Sequence, residues 1–197
     1  MVEQMRADAR RNYDVLLSVA AQCFAEQGTD ASLRDVARKA GVGIGTLYRH
    51  FPTREALLEA VLGSRFDRLR DRADELAATA ESPQRALRDW LAEFAAGSVT
   101  YRGLPDEVMA ALHDGDSPLH ASCTAMRAAG ARLVERAQAA GTMRADVTPD
   151  EALALAAGLA WAADHSPNRA KVAERLLSIT MAGFEAVDPG QNRPAES

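Results

Sequence analysis

The segment 32–54 constrains the fold of this chain more than any other part of its 197 residues. It opens with Ser32, a residue type that caps helices because its hydroxyl accepts a hydrogen bond from a first-turn amide. Four apolar residues then recur at the spacing of one helical face: Leu33, Val36, Ala37 and Ala40. Gly41 follows where the chain must turn, since glycine adopts left-handed dihedral angles without a steric clash.

A second short helix is predicted to follow this turn and to stop at Pro52. We expect its inward face to consist of Ile44, Leu47 and Phe51, with Val42 filling the corner between the two helices. A close crossing, a sharp turn and a buried anchor are the geometry of a DNA-binding helix-turn-helix. The remaining side chains of the second helix are hydrogen-bond donors that suit DNA: Thr46, Tyr48, Arg49 and His50.

The charge of this segment favours the same interpretation. It holds five basic residues (Arg34, Arg38, Lys39, Arg49, Arg54) against one acidic residue (Asp35), hence about +4, whereas the whole chain carries −5. Gly43 and Gly45 leave the start of the second helix bare, so that its backbone can approach a phosphate or a base edge. The alternative is a helical corner of an enzyme or a protein-interaction module with a solvated basic face.

Residues from about 12 to 62 resemble the N-terminal domain of TetR-family transcriptional regulators. The resemblance covers about a quarter of the chain and is carried by the segments 24–28 (FAEQG), 32–37 (SLRDVA), 40–42 (AGV), 45–51 (GTLYRHF) and 53–57 (TREAL). Beyond these segments, the sequence shows only the all-helical architecture that the family implies.

The resemblance implies roles for individual residues. Arg34 matches a base-contacting position, and residues 43–45 match positions at base edges, where Ile44 would touch a thymine methyl group. Four residues match phosphate contacts: Thr46, Tyr48, His50 and Arg54. The predicted DNA-binding set is Ser32, Arg34, Gly43, Ile44, Gly45, Thr46, Tyr48, Arg49, His50 and Arg54. Unlike many relatives, the chain has glycine on both sides of Ile44, so Arg34 and DNA shape are expected to carry more of the specificity.

The composition is that of a globular protein, with 47% hydrophobic and 26% charged residues. No apolar run approaches the roughly 20 residues of a membrane span, and the N-terminal residues lack the apolar core of a secretory signal. Cys23 and Cys123 are too few and too isolated for a disulfide framework. We therefore expect a cytoplasmic protein without a membrane partner. Its acidic balance argues against non-specific nucleic-acid binding but permits specific binding through a local basic surface.

The sequence predicts an all-α fold of about nine helices. The first ends at Gly28, after a loose arm over residues 1–5, and Thr53 is predicted to cap the fourth. Ser/Thr–Pro pairs mark most of the later helices, which we expect at about 83–101, 105–113, 118–140, 149–164 and 167–187. The predicted domains are a helix-turn-helix DNA-binding domain (1–52), a helical ligand-binding and dimerisation domain (53–187) and a disordered tail (188–197).

Large apolar side chains in the C-terminal part are candidates for lining an effector cavity. The apolar stripes of the fifth and seventh helices would face one another in a bundle, and a gap between them would be an apolar cavity. The predicted pocket residues are Phe66, Trp90, Phe94, Met109, His113, Cys123, Met126 and Trp161. The alternative is that they fill the core. His113, Asp114, Asp116 and His120 lack the spacing of a metal site, and we expect neither a metal nor another cofactor.

The last two helices are predicted to form a dimer interface. The eighth is rich in alanine, which allows close helix approach, and the ninth is apolar on two sides, so it must be buried twice. We expect a four-helix contact with a second copy, through Ala156, Leu159, Ala160, Val172, Leu176, Ile179 and Gly183. The alternative is a monomer in which this helical hairpin is wholly internal.

Together these observations predict a homodimeric DNA-binding regulator. We expect a repressor that leaves a palindromic double-stranded operator when a small, largely apolar ligand enters the C-terminal domain. The sequence contains no paired catalytic carboxylates, no nucleophile with a plausible base and no glycine-rich phosphate loop, so we do not expect an enzyme. Two alternatives remain: a regulator controlled by a protein partner without a ligand, and a cytoplasmic small-molecule-binding protein, which would have no use for a basic DNA-binding surface.

Overall fold

The structure, a computed structural model, describes residues 2–97 and 104–185, with side chains described from Arg10 onward. Within these ranges it contains nine α-helices and no strand, which confirms the all-α prediction. The helices are α1 (Val2–Gln27), α2 (Leu33–Lys39), α3 (Ile44–His50), α4 (Arg54–Thr79), α5 (Pro83–Ala96), α6 (Asp106–His113), α7 (Pro118–Ala139), α8 (Pro149–Asp164) and α9 (Arg169–Phe184). None of these described helices combines the length and apolar character that crossing a membrane requires.

Two helix starts differ from the prediction. Helix α1 begins at Val2, so the loose arm expected over residues 1–5 is wrong from Val2 onward; the segment 2–11 contains no glycine or proline and is rich in good helix formers. Helix α9 begins at Arg169 rather than at residue 167, because the Ser166 amide still bonds the Ala163 carbonyl oxygen at 3.0 Å in the turn that ends α8. The predicted residues 98–101 of α5 and the tail 188–197 lie outside the described residues.

The chain forms two compact units. The first contains the described residues of 1–68 and 99–126, and the second those of 69–98 and 127–197. Helices α4 and α7 contribute residues to both units, because the division falls within each of them. The division expected between residues 52 and 53 is a functional one, and it stays a prediction.

The first unit is built around the contacts of α1 with α2 and of α2 with α3. Its core includes four fully buried apolar side chains: Leu16, Ala20, Val36 and Leu47. The turns are where glycine was expected, since Gly28 after α1 has a φ of +83° and Gly41 after α2 a φ of +70°. These glycines end the two helices sharply enough for the next helix to pack back on the one before.

The second unit is built around α5, which packs on α8 and α9. Trp90 on α5 is 1% exposed, and its indole N–H donates to the Leu69 carbonyl oxygen at 2.8 Å. The Trp90 ring lies against Gly130 on α7, where a Cβ atom would come within 2.6 Å of Cζ3 and closer still to Cη2. Packing, rather than backbone conformation, therefore requires glycine at this position.

One of the Ser/Thr–Pro pairs, Thr148–Pro149, opens α8 with a capping box. The Thr148 hydroxyl accepts from the Glu151 amide at 3.3 Å, and the Glu151 carboxylate accepts from the Thr148 amide at 2.8 Å. The Thr148 hydroxyl also donates to the Glu151 carboxylate at 2.8 Å. The bond from the Thr148 amide, and then the bond from its hydroxyl, lower the pKa of Glu151 because both favour the charged carboxylate. A lowered carboxyl pKa means that this contribution to stability is present above the ordinary pKa and is lost as the pH falls through the lowered one.

Gly130→Ala is expected to destabilise the protein by about 1–3 kcal/mol, because the added methyl group overpacks the rigid, buried Trp90 ring. Gly63→Ala is the matched control: it also lies inside a helix, but its added Cβ would have Ser122 Oγ at 4.0 Å as its nearest neighbour. The control should be neutral or stabilising, since alanine favours helix. Thermal and urea unfolding of both variants measure this difference, and equal stability would contradict the packing argument.

Candidate nucleic-acid interface

The prediction that Leu47 and Phe51 form the inward face of α3 is confirmed. Leu47 and Phe51, which lie four residues apart, are 0% and 3% exposed and anchor α3 in the first unit. Ser32 caps α2, because its Oγ accepts from the Asp35 amide at 3.3 Å. The Val42 amide bonds the Ala37 carbonyl oxygen at 3.0 Å, which closes the turn between the helices.

The prediction that Ile44 faces inward is wrong. Its side chain is 36% exposed, whereas Leu47 one turn later is fully buried. The cause is position: a helical side chain covers the turn before its own Cα, and Ile44 is the first residue of α3, so it projects past the start of the helix. An exposed isoleucine is left at the position that was also expected to meet a base edge.

The space around Ile44 is open. Apart from neighbouring residues and the backbone of the same helix, a Cβ atom at Gly43 or Gly45 would meet no described heavy atom within 4 Å. Along the same helix, the Tyr48 side chain is 48% exposed, and Arg49 is also exposed. The outer surface of α3 therefore combines an apolar tip, two bare glycines and two large hydrogen-bonding side chains.

The basic residues of the segment divide into paired and unneutralised groups. Arg38 forms an ion pair with Asp35 at 3.0 Å, and Lys39 with Glu26 at 3.4 Å. Arg34, which is exposed on α2, has no ion-pair partner among the side chains that the structure describes. An exposed cation without a carboxylate partner is suited to binding a phosphate or a guanine edge.

Arg49 is held along its own helix by neutral acceptors. Its Nη2 donates to Thr46 Oγ1 at 2.9 Å and its Nε to the Gly45 carbonyl oxygen at 3.3 Å. These contacts position the guanidinium beside Thr46 without cancelling its charge. Both residues were predicted to contact DNA, and the structure places them side by side on α3, with Arg49 exposed and Thr46 half-buried.

His50 lies in an aromatic cluster. Its ring centroid is 5.9 Å from that of Tyr13 on α1, in an edge-to-face arrangement, and Tyr13 is 5.2 Å from Phe51. Because His50 is only half-buried, its imidazole ring joins this cluster and also reaches the surface. Helical spacing within α1 does not predict this contact between Tyr13 and a predicted DNA-binding residue.

Arg54 does not simply point outward. Its Nη1 donates to the carbonyl oxygens of Thr29 and Ala31 at 2.8 and 2.7 Å, in the connection between α1 and α2. The resemblance implies a phosphate contact for this residue, but one terminal nitrogen is engaged with the backbone of its own unit. No sequence signal indicated this contact, because the partners are 25 and 23 residues away.

The predicted pocket residues have differing environments. Phe66, Trp90 and Met126 are 5%, 1% and 3% exposed, and Phe94 and Cys123 are half-buried. Trp90 stacks on Phe94 with ring centroids 5.8 Å apart, which fits core filling within the second unit. The remaining three are exposed on their helices: Met109, His113 and Trp161. The structure thus supports core filling most clearly for Trp90.

A separate cleft of about 430 Å³ lies in the second unit, between the start of α5 and the end of α9. Its lining is mostly polar or charged, as at Arg88 and Ser178, and also includes the apolar Met181. None of the predicted pocket residues lines it. Among the described side chains, no three histidine, cysteine, aspartate or glutamate groups converge as metal ligands would.

The predicted dimer residues are divided between buried and accessible positions. Ala156 and Ala160 are 1% and 5% exposed, so they face the interior of their own unit. Three others are half-buried (Leu159, Val172 and Leu176), and two are exposed (Ile179 and Gly183). The exposed side of α8 also carries Leu155 and Trp161, which are 46% and 59% exposed. Leu155 was absent from the predicted set.

Family models cover both parts of the chain. Residues 82–186 match the C-terminal domain of SbtR-like transcriptional regulators, more than half of the sequence. Residues 16–61 match the bacterial regulatory proteins of the tetR family. The chain belongs to the TetR family. Its helix-turn-helix is therefore the DNA-binding element of a transcriptional regulator.

Solved TetR-family structures match almost the whole chain. A TetR transcriptional regulator from Streptomyces coelicolor, SCO0520, is 37% identical with a TM-score of 0.73, and the match covers 89% of this chain and 99% of that one. A TetR regulatory protein from Mycobacterium vanbaalenii is 35% identical with a TM-score of 0.67, over 92% and 99% of the two chains.

The matches with curated relatives are shorter. The transcriptional repressor KstR2 of Mycolicibacterium smegmatis is 41% identical over 75 residues, which are 38% of this chain and 37% of that protein. The regulator SAR0097 of Staphylococcus aureus is 34% identical over 87 residues, 43% of this chain and 44% of that protein. The chain thus matches less than half the length of these two relatives.

Proposed function

We propose that this TetR-family regulator acts in the cytoplasm as a homodimeric repressor of a roughly palindromic operator. A small, largely apolar ligand in the C-terminal domain releases it. The observation that carries the DNA-binding part is the two-sided α3: Leu47 and Phe51 are buried, while Ile44 and Tyr48 are exposed. Repression is supported by the names of relatives such as the transcriptional repressors KstR2 and KstR.

Base recognition is assigned to Arg34 and Ile44. The exposed Arg34 guanidinium has the bidentate geometry that suits a guanine edge. The exposed Ile44 tip, with a glycine on either side, presents no polar group to a base, so an apolar contact with a thymine methyl group is the recognition it offers. Ser32, Thr46, Tyr48, Arg49 and His50 are proposed to position the backbone of the duplex.

The dimer is assigned to the exposed face of α8 and α9. Leu155, Trp161 and Ile179 are each at least 46% exposed, although all three are large and apolar. Because Ala156 and Ala160 are already buried in their own unit, the contact is proposed to involve the other predicted residues together with Leu155 and Trp161. Exposed apolar surface of this kind marks a protein interface, and a two-fold axis would pair the helices with their own copies.

Two helix-turn-helix elements on one axis must meet successive major grooves about 34–36 Å apart. Selection of bound duplexes from a random DNA pool at two salt concentrations tests this directly. The expected product is an inverted repeat with a half-site spacing of about one helical turn, bound with a steep salt dependence. Recovery of no sequence preference at either salt concentration would overturn the proposed function.

The thymine contact predicts a methyl-dependent affinity. Replacing the thymine that faces Ile44 with deoxyuridine removes only the methyl group and should weaken binding roughly fivefold, or about 1 kcal/mol. Ile44→Ala should bind the two duplexes equally. Arg34→Ala is the matched control: it should lose about 1–3 kcal/mol and relax selectivity at a different base pair, while keeping the methyl dependence. Fluorescence anisotropy titrations measure the affinities of the natural protein and both variants for the thymine and deoxyuridine duplexes. Equal affinity of the natural protein for the two duplexes would refute the Ile44 assignment.

The dimer proposal predicts a position-dependent effect of added charge. Ile179→Asp should raise the dimer dissociation constant by more than about a hundredfold, because an unpaired charge in an apolar interface costs several kcal/mol. Val15→Asp changes another exposed aliphatic residue, on α1 and 40% exposed, outside the proposed interface, and should leave the dimer intact. Analytical ultracentrifugation distinguishes these outcomes, and a dimeric Ile179→Asp protein would place the interface elsewhere.

The effector proposal predicts reciprocal coupling. A small apolar molecule that raises the melting temperature should also weaken operator binding by about 5–150-fold, the usual range of allosteric coupling. By linkage, the operator should weaken binding of that molecule by the same factor. Stabilising molecules that leave operator affinity unchanged would contradict release by a ligand. A screen with no stabilising molecule would favour control by a protein partner.

A further inference from the structure

The first residue of α4 is tied to the connection that precedes α2. Arg54 Nη1 donates to the carbonyl oxygens of Thr29 and Ala31 at 2.8 and 2.7 Å. Its neighbour Thr53 caps α4, since its Oγ1 accepts from the Ala56 amide at 3.1 Å. The side chain that begins α4 therefore reaches back to the backbone just before α2.

The two carbonyl oxygens that Arg54 bonds belong to buried residues. Thr29 and Ala31 are 9% and 3% exposed, and the chain around them is tightly folded, with the Ala31 amide bonded to the Gly28 carbonyl oxygen at 3.1 Å. Buried backbone acceptors are almost always paired in native structures, because leaving them unpaired is costly. A guanidinium is an effective partner, since its bonds to carbonyl oxygens are charge-assisted.

Residues 29–31, whose carbonyl oxygens Arg54 bonds, lead directly into the DNA-binding surface. Ser32, which follows Ala31, caps α2 through the Asp35 amide, and Arg34 lies in the first turn of the same helix. A shift of the Ala31 carbonyl would change the direction in which α2 starts. It would also move Arg34, the residue assigned to base recognition. The position of Arg34 thus depends on the hydrogen bonds of Arg54.

We propose that Arg54 is a positioning residue for base recognition rather than a phosphate ligand, and that it couples α4 to the start of α2. This inference rests on the proposed function. Helix α4 continues from Arg54 to Thr79, so a displacement of its first turn must either break the two hydrogen bonds or carry the connection with it. In both cases Arg34 moves. Because Arg34 is the residue assigned to base recognition, a movement of α4 would then weaken recognition of the DNA sequence.

A phosphate contact and a positioning role have different signatures in binding. A phosphate contact contributes equally to operator and non-operator DNA, and its loss lowers the slope of log K against log salt by about 0.9. A positioning role contributes to operator binding alone, so its loss lowers the ratio of operator to non-operator affinity. A loss of folded protein alone would reduce both affinities in the same proportion.

The test uses the full-length protein and compares Arg54→Ala with Arg38→Ala. Arg38→Ala is the matched control, because it removes the same charge from a side chain that is 74% exposed and that, among the described side chains, pairs only with Asp35. For Arg54→Ala we expect the affinity ratio to fall about tenfold, the value of one charge-assisted hydrogen bond, with an unchanged salt slope on non-operator DNA. For Arg38→Ala we expect the wild-type ratio.

Hydrogen exchange provides a readout without DNA. The first-turn amides of α2, including that of Asp35, should exchange faster in Arg54→Ala than in the wild type, while the Leu47 amide keeps its protection. Two results for Arg54→Ala would overturn this inference alone, provided that the wild type binds its operator normally. One is an unchanged ratio of operator to non-operator affinity. The other is a slope of log K against log salt that is lowered by about 0.9 on non-operator DNA. Absence of operator preference in the wild type would instead overturn the proposed function, and this inference with it.

Discussion

Two seven-residue helices cannot remain folded in water by themselves, because the cost of helix nucleation exceeds what so few backbone hydrogen bonds return. Helices α2 and α3 exist only because Leu47, Phe51 and Val36 are buried in the first unit. The same burial determines which side chains remain outside, since residues between the anchors along α3 must face away from the core. The DNA-binding surface is therefore a consequence of the packing that keeps these helices folded.

The burial of one side of α2 and α3 leaves the other side exposed, and the position of each residue along its helix determines which side chains are exposed there. Ile44 is exposed because it begins α3, and Arg34 because it lies outside the buried side of α2 formed by Leu33, Val36 and Ala37. Two of the five local cations are paired with carboxylates, Arg38 and Lys39. Arg54 keeps its charge, but one of its terminal nitrogens is engaged by backbone carbonyl oxygens, so fewer cationic side chains are open to DNA than the composition indicates. A count of charges thus overstates the number of residues available to phosphates.

The second unit shows how apolar patterns mislead when they are used to predict a cavity. Trp90 is a large aromatic residue of the kind that often lines ligand pockets. Its ring nevertheless packs against Gly130, and its indole N–H donates to the Leu69 carbonyl oxygen. Trp161 has the same residue type but is 59% exposed. Both tryptophans lie on helices with apolar stripes, and the stripe alone does not state which neighbour, if any, covers each ring.

The sequence by itself determined which segments are helical, several of their caps and the turns after α1 and α2, although not the first residues of α1 and α9. These features depend on residues within four positions of one another, such as Ser32 with Asp35 and Thr148 with Glu151. Only the tertiary structure decided that Ile44 is exposed, that Ala156 is internal and that Arg54 reaches back 25 residues to Thr29. The physical reason is the sequence separation of the interacting residues. Hydrogen bonds within one turn depend on neighbouring residues, whereas burial and long-range contacts depend on where distant segments meet.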